Sequence, residues 1–215
     1  MDCTITTKTN ATATGAGSTT YTFTPPALTP GTYSFTARAT DAAGNVSANS
    51  TAFTLTVDTA APNAPTITGF TDDVAPVTGT ITASGGSTND TTPILNITAE
   101  ANSIVEVFNG STKLGNAIAA AAGSTTYTFT PPVLTSGTYS LTARATDAAG
   151  NVSGNSTAFS LTVDTTAPNA PTITGFTDDV APVTGTITAS GGSTNDPTPT
   201  LSITAEAGST LEVFR

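Results

Sequence analysis

The stretch Leu134-Thr-Ser-Gly-Thr-Tyr-Ser-Leu-Thr-Ala-Arg-Ala-Thr146 decides the fold of this chain. From residue 138 onward, apolar residues alternate with polar ones at every second position. Successive side chains of a β-strand point to opposite faces, so this alternation predicts a half-buried strand over Thr138–Thr146. The side chains expected on its buried face are Tyr139, Leu141, Ala143 and Ala145.

The start of that stretch carries a second signal. The pattern Leu-x-x-Gly-x-Tyr occurs at Leu134–Tyr139 and again at Leu28–Tyr33. A tyrosine at this point can return its hydroxyl to nearby backbone, which is the tyrosine corner of Greek-key sandwiches. The alternative interpretation is an ordinary buried tyrosine.

Further alternating segments surround this strand, and turn-forming residues such as Asn109-Gly110 and Pro131-Pro132 separate them. No segment predicts a helix, because Ala117–Ala122 is short and uncapped and is better interpreted as strand and loop. About seven short strands per hundred residues predict an all-β fold of tandem immunoglobulin-like Greek-key sandwiches. Besides Thr138–Thr146, strands are expected near Ala64–Phe70, Pro93–Glu100, Ile104–Phe108, Thr126–Thr130 and Thr157–Val163, with a short strand or loop up to Ala119.

The chain repeats itself with a period of 106 residues. Ser18–Asn109 falls on Ser124–Arg215, and 13 of the 92 aligned positions differ. Such a repeat indicates a tandem array of one structural unit. We therefore expect a complete repeat at 58–163, the C-terminal half of a repeat at 1–57 (strands C′, E, F and G), and the N-terminal half at 164–215 (strands A, B and C).

Composition excludes several classes of function. The 15 acidic and 5 basic side chains give a formal net charge of −10, which disfavours nucleic acids and anionic membranes as partners. Histidine is absent, so the commonest general base is missing and an enzyme is not expected. Cys3 is the single cysteine, which allows no disulfide within the chain.

No apolar run reaches the length of about 20 residues that spans a bilayer, so no membrane insertion is expected. The N-terminus Met1-Asp2-Cys3-Thr4 lacks the basic and apolar regions of a signal peptide. We expect either a piece of a larger protein or export by a signal that is not visible here.

The aspartates of the repeat lie between the predicted strands. Sandwich topology places the connection after strand A and the end of strand G at the same end of the domain, so Asp72, Asp73, Asp90 and Asp164 should gather there. Asp147 should lie at the other end, near Asp58.

Lys113 and Arg144 are the only basic residues of the repeat, and Ca²⁺ takes 6–8 oxygen ligands, so the sequence predicts calcium at these ends. The alternative is solvated loop aspartates. The predicted metal ligands are Asp58, Asp72, Asp73, Asp90, Asp147, Asp164, Asp178, Asp179 and Asp196, with Asn89 and Asn151 completing the shell.

Several motifs resemble a known family. Val57–Pro62 and Val163–Pro168 are similar to the interdomain signature of bacterial Ig-like repeats, which fill large secreted surface adhesins and biofilm-associated proteins. Ala145–Ser153, Thr71-Asp72-Asp73 and Thr88-Asn89-Asp90 also resemble that family. The resemblance implies calcium at the domain junctions and a place outside the cell, at the bacterial surface.

These observations favour a structural, calcium-stiffened segment of an extracellular bacterial adhesin or fibre, with neighbouring copies of the same repeat as partners. Two alternatives stay open. The chain could be a self-polymerising filament subunit, in which 164–215 of one copy completes 1–57 of the next by β-strand complementation. It could also be a carbohydrate-binding or protein-binding module, although its aromatic residues fall mostly on predicted core faces.

Overall fold

The structure is a computed structural model that describes residues 10–215, and every regular element within that range is a β-strand. The all-β prediction is confirmed. Residues 10–215 contain no helix that is long and apolar enough to cross a membrane. The chain divides into two compact units, one ending at Asp164 and one beginning at Thr165.

The described residues that precede the complete repeat form two separate antiparallel pairs. In one pair β1 (Thr12–Ala13) lies beside β2 (Tyr21–Thr22), and in the other β3 (Gly31–Phe35) lies beside β4 (Phe53–Val57). These strands correspond to the later part of a sandwich, as the repeat period predicts. The part of the predicted C′ region that precedes residue 10 lies outside the described residues, as does Cys3.

Residues 58–163 form a complete sandwich of two five-stranded sheets. Its ten strands are β5 (Thr66–Asp72), β6 (Gly79–Ile81), β7 (Gly86–Thr88), β8 (Ile94–Thr98), β9 (Ile104–Asn109), β10 (Thr112–Asn116), β11 (Ile118–Ala119), β12 (Thr126–Phe129), β13 (Gly137–Thr146) and β14 (Phe159–Val163). One sheet has the order β11-β12-β8-β5-β6, and the other has the order β10-β9-β13-β14-β7. The tandem Ig-like sandwich predicted from the sequence is thus confirmed.

The core lies between the two sheets and uses the alternating residues predicted for it. In β13, Leu141, Ala143 and Ala145 are fully buried, while Tyr139 is partly buried at the margin. Phe70 and Phe159 meet edge to face at 6.3 Å between ring centroids. This aromatic contact and the aliphatic side chains around it remove a continuous apolar layer from water, which stabilises the domain.

The sequence prediction of one strand A was incomplete. After β5, the chain makes a hairpin with β6 and then crosses to the other sheet, where β7 pairs parallel with β14. The strands β6 and β7 have three residues each, which is too few for an alternation of apolar and polar residues to be recognised in the sequence. Gly69 lies at a β-bulge in β5. Because glycine has no Cβ, β6 can approach closely there, whereas a Cβ would lie 2.5 Å from the carbonyl oxygen of Ile81.

The tyrosine corner is present in both copies. Tyr139 donates its hydroxyl to the carbonyl oxygen of Thr135 at 2.8 Å, and Tyr33 donates to that of Thr29 at 2.7 Å. The prediction from the Leu-x-x-Gly-x-Tyr pattern is therefore confirmed. The bond closes the turn that leads into β13 in one copy and into β3 in the other.

Residues 165–215 form a three-stranded sheet, in which β15 (Thr172–Asp178) lies between β16 (Gly185–Ile187) and β17 (Thr200–Thr204). The prediction of a strand C in this segment was wrong, because residues 205–215 belong to no strand. In the complete domain the equivalent strand, β9, pairs with β10 and β13. Residues 165–215 contain no counterpart of either partner.

Candidate functional site

Asp72, Thr88 and Asp90 form a hydrogen-bonded cluster where the first sheet of the complete domain ends. Thr88 Oγ1 donates to Asp72 Oδ2 at 2.6 Å and accepts from the Asp90 backbone N–H at 2.9 Å. The Asp72 Oδ1 atom accepts from the Val74 N–H at 2.9 Å. All three side chains of the cluster are buried. The two carboxylates are therefore held by neutral donors rather than left to repel each other.

The carboxylate of Asp90 also caps the next turn. Its Oδ1 accepts from the backbone N–H of Thr92 at 2.7 Å, which is the local bond by which aspartates fix turns. Nearby, Asn89 donates its amide to the carbonyl oxygen of Ala75 at 2.9 Å. Both side chains thus fasten the loops between β5 and β8.

The linker that leaves the domain is tied to the same cluster. The backbone N–H of Asp164, directly after β14, donates to the carbonyl oxygen of Thr88 at 2.8 Å. Thr88 thereby joins the loop of Asp72, the loop of Asp90 and the first residue of the outgoing linker. These segments thus meet at one end of the domain, as sandwich topology predicts.

At the other end, a loop after β13 holds the incoming linker. Asp147 accepts from the side-chain amide of Asn151 at 2.9 Å and from its backbone N–H at 2.8 Å. Asn151 Nδ2 also donates to the carbonyl oxygen of Asp58 at 3.2 Å. The hydrogen bond from the Asn151 side chain, with those from the loop backbone, lowers the pKa of Asp147 below its ordinary value. The loop therefore reaches the linker through Asn151, while the Asp58 carboxylate caps Ala60 N–H at 3.0 Å.

Both arrangements recur in the other copies. In residues 165–215, Thr194 Oγ1 donates to Asp178 Oδ2 at 2.7 Å and accepts from the Asp196 N–H at 2.9 Å. Near the N-terminus, Asn45 Nδ2 donates to Asp41 Oδ2 at 2.8 Å, and this bond lowers the pKa of Asp41. Each network forms in a segment that lacks the rest of its sandwich, so each is encoded locally.

The described residues do not fit a metal ion by themselves. Within residues 10–215, no group of three or more His, Cys, Asp or Glu side chains is arranged to hold one. Asp73, Asp164 and Asp179 are exposed, whereas Asp72, Asp90, Asp178 and Asp196 are buried against hydroxyl and amide donors. A cation at this end would have to displace those donors or take oxygens from another domain.

Sequence reasoning missed the donors of these networks. The spacing Thr88-x-Asp90-x-Thr92 is a signal that could have found them, because aspartate and threonine side chains bond backbone groups two residues away. The same spacing occurs at Thr194-x-Asp196-x-Thr198. Asn151 was expected only as an additional metal ligand, yet it links the loop to the linker.

Both basic residues of the complete repeat lie away from the aspartate clusters. Lys113 Nζ and Arg144 Nη2 contact the two carboxylate oxygens of Glu106 at 2.6 and 2.8 Å. First the Lys113 ammonium and then the Arg144 guanidinium hold the pKa of Glu106 below its ordinary value of 4.5. Arg144 also lies over the ring of Phe108, 5.1 Å from its centroid. These ion pairs link β9 to its two neighbours, β10 and β13, on the outer face of their sheet.

Comparison with known proteins agrees with this architecture. The family model described as "Bacterial Ig-like domain" matches residues 2–59 and 66–165. Exoglucanase B of Cellulomonas fimi is 39% identical over 174 residues, which is 75% of this chain and 14% of that enzyme. Chitinase A1 of Niallia circulans is 37% identical over 150 residues, which is 66% of this chain and 19% of that enzyme.

The chain thus spans less than a fifth of the length of either relative. The matched part is the Ig-like module, which is not itself catalytic. The family match covers most of the chain, and the two-sheet sandwich of residues 58–163 has the fold that it implies. This chain belongs to the bacterial Ig-like domain family.

Proposed function

We propose that this chain is a structural spacer that holds other parts of an extracellular bacterial protein at a set distance. The observation that carries the proposal is that both linkers of the complete domain are bonded to its body. The incoming linker is held at Asp58 by Asn151, and the outgoing linker is held at Asp164 by Thr88. Such bonds reduce the freedom with which a neighbouring domain swings.

The size of the match in the relatives supports this role. Exoglucanase B and Chitinase A1 each resemble this chain over a small part of their length, as expected for a module that accompanies other domains. A sandwich of about 100 residues with a full core can keep its shape in such a chain without a disulfide. We propose an adhesin or fibre of the bacterial surface as one setting for this spacer.

The spacer proposal is tested with Asn151→Ala and a matched variant, Asn45→Ala. Asn45 makes the same bonds to its own aspartate, and in the described part of the chain its side-chain amide hydrogen-bonds only to Asp41. Small-angle scattering should show a broader distribution of interatomic distances for Asn151→Ala and no change for Asn45→Ala. Identical scattering from both variants and the parent chain would contradict the proposal.

Calcium stiffening of the junctions stays a prediction with its own test. A bound ion would stabilise the folded chain by mass action, so a chelator should lower the melting temperature and broaden the scattering curve. Identical melting and scattering curves with and without the chelator would rule it out. The spacer proposal does not depend on this result.

The alternative of a carbohydrate-binding module has less support. Sugar-binding faces use exposed aromatic rings, yet every exposed large apolar side chain in residues 58–163 is aliphatic. We expect the purified chain to show no retention on insoluble glucan or chitin. Binding that survives washing with salt would favour the alternative.

A further inference from the structure

One strand pair of the complete domain joins its first part directly to its last. The incoming linker leads through β5 and β6 to β7, and β14 leads straight into the outgoing linker at Asp164. β7 lies parallel to β14, and we call their contact the β7–β14 seam. The residues opposite each other in it are Gly86 and Leu161, Ser87 and Thr162, and Thr88 and Val163. A pull that separates the two linkers therefore reaches this seam from both sides.

Hydrogen bonds extend the seam beyond the paired residues. At one end, the Gly85 N–H donates to the carbonyl oxygen of Ser160 at 2.8 Å, and the Ser160 N–H donates to Ser84 Oγ at 2.8 Å. At the other end, the Asp164 N–H donates to the carbonyl oxygen of Thr88 at 2.8 Å. The bonded segment thus runs from Ser84 to Thr88, although β7 itself has only three residues.

The local sequence allows β7 to lie close to the core. A Cβ at Gly86 would lie 2.5 Å from Cγ2 of Ile81, so only glycine fits there without a shift of that side chain. Across the seam, Thr88, Leu161 and Val163 are buried. One side of the seam is therefore shielded from water, and hydrogen bonds are electrostatically stronger in such surroundings.

The direction of the two strands decides how their bonds respond to tension. The incoming linker is held by Asn151 at one end of the domain, and the outgoing linker leaves beside Thr88 at the other. Because β7 and β14 are parallel, tension on the linkers pulls the two strands in opposite directions along their own axes. The seam is then loaded in shear. Bonds loaded in shear must stretch together, whereas those of a hairpin pulled at its open end break one after another.

We propose that the β7–β14 seam is a mechanical clamp, by which residues 58–163 stay folded while the two linkers are under tension. The clamp deepens the proposed spacer role and rests on it, because a spacer carries the tension of the parts that it separates. Both segments of the seam belong to the repeat. Residues 84–88 recur in the sequence as 190–194, and residues 159–164 recur as 53–58 with one difference.

The test stretches the full chain between its two ends at constant force and times the unfolding of residues 58–163. The gain in length, at most about 3.6 Å for each residue released, identifies that event. Ser84→Ala removes one bond of the seam at an exposed position, so the core stays intact. The unfolding rate under force should rise several-fold, up to about tenfold, as expected when one hydrogen bond is lost before the barrier.

Asn109→Ala is the matched control. Asn109 Oδ1 accepts from the Ser140 N–H at 3.2 Å, so this variant also removes a bond from a side-chain oxygen to the backbone of a neighbouring strand. The strands that it joins, β9 and β13, lie between the two strands of the seam in the chain. Without force, both variants should lose similarly little stability in denaturant. Under force, the unfolding rate of Asn109→Ala should stay within about twofold of that of the parent chain.

Two results would overturn the proposal. One is an unfolding rate under force that Ser84→Ala leaves unchanged. The other is an acceleration by Asn109→Ala that equals or exceeds that of Ser84→Ala, which would show that the tension is not concentrated at the seam. Neither result bears on the spacer role, because the scattering of Asn151→Ala measures the freedom of a linker and not the strength of the seam.

Discussion

Leu55 and Leu161 stand at the same place in two copies of one repeat, yet Leu55 is 44% exposed and Leu161 is fully buried. The five-residue strands that carry them, β4 and β14, differ only at Thr54 and Ser160. Within residues 10–215, β4 pairs with β3 alone, whereas β14 lies between β13 and β7 in a closed sandwich. Burial in this molecule is therefore a property of the completed domain and not of the strand sequence.

The turns behave in the opposite way. The tyrosine corner, the aspartate–asparagine loop and the aspartate–threonine cluster each have the same bonds in the complete copy and in an incomplete one. Their partners lie within a few residues or within one half of the repeat. Local hydrogen bonds thus fix the conformations of the loops, whereas contacts between the first and second halves of the repeat form the core.

The largest expected effect comes from truncating the buried leucine. Leu161→Ala removes methyl groups from the core and leaves a cavity, so it should lower the free energy of unfolding by about 2–5 kcal/mol. Leu55→Ala should change it by less than about 1 kcal/mol, because Leu55 is 44% exposed and little packing is lost. Denaturant titration of both variants measures the difference. Equal losses would show that Leu55 is packed as tightly as Leu161.

A smaller loss is expected from Gly69→Ala. The new Cβ would lie 2.5 Å from the Ile81 carbonyl oxygen, at a backbone φ of +153°, so β5 or β6 must shift. We expect a loss of about 2–3 kcal/mol in the same titration.

Gly154→Ala is the matched control for that glycine variant. A Cβ at Gly154 meets nothing within 4 Å, and the equivalent residue of the first copy is Ala48. This variant should be neutral or slightly more stable. A neutral Gly69→Ala would show that the bulge tolerates a side chain.

Removing the hydroxyl of Thr88 should have the next largest effect. Thr88→Val leaves the Asp72 carboxylate and the Asp90 N–H without their buried partner, which costs about 1–3 kcal/mol. The outgoing linker keeps its backbone bond to residue 88, so thermal stability should fall with little change in scattering. Thr194→Val should leave the unfolding of residues 58–163 unchanged. If Thr88→Val melts like the parent chain, the cluster contributes no net stability.

The smallest effect is a pH dependence from Glu106. Its pKa is lowered in the folded state, so its ion pairs stabilise the domain above the ordinary value of 4.5, and that stability is lost as the pH falls through the lowered pKa. We expect a contribution below about 1 kcal/mol, because the pairs lie near the surface. Melting from pH 7 to pH 3 should show less acid sensitivity for Glu106→Gln than for Glu100→Gln. Equal acid sensitivity of the two variants would contradict this assignment.

Much of the fold could be predicted from the sequence, because alternation in segments such as Thr138–Thr146 directly reports which face is buried. The strands β6 and β7 could not be predicted, since three residues are too few to show an alternation of apolar and polar side chains. The absence of strand C near Leu211 could not be predicted either, because a strand forms only where its partner strands are present.

For the candidate site, sandwich topology correctly predicted that the segments of Asp72, Asp90 and Asp164 lie at one end of the domain. It could not show what the carboxylates bind there. Their donors are uncharged threonine hydroxyls and backbone amides, which a count of charges does not reveal. The cation predicted at this end of the domain therefore stays a prediction, while the hydrogen bonds to the carboxylates are what the described residues show.

Amide hydrogen exchange of the parent chain, measured at high dilution, tests the central claim most directly. Residues 159–163 and 53–57 are nearly the same sequence, so their intrinsic exchange rates are nearly equal. Strong protection is expected for Phe159–Val163, which is buried in the closed sandwich, and weak protection is expected for Phe53–Val57, which is exposed. Equal protection of the two segments at dilution would contradict that claim.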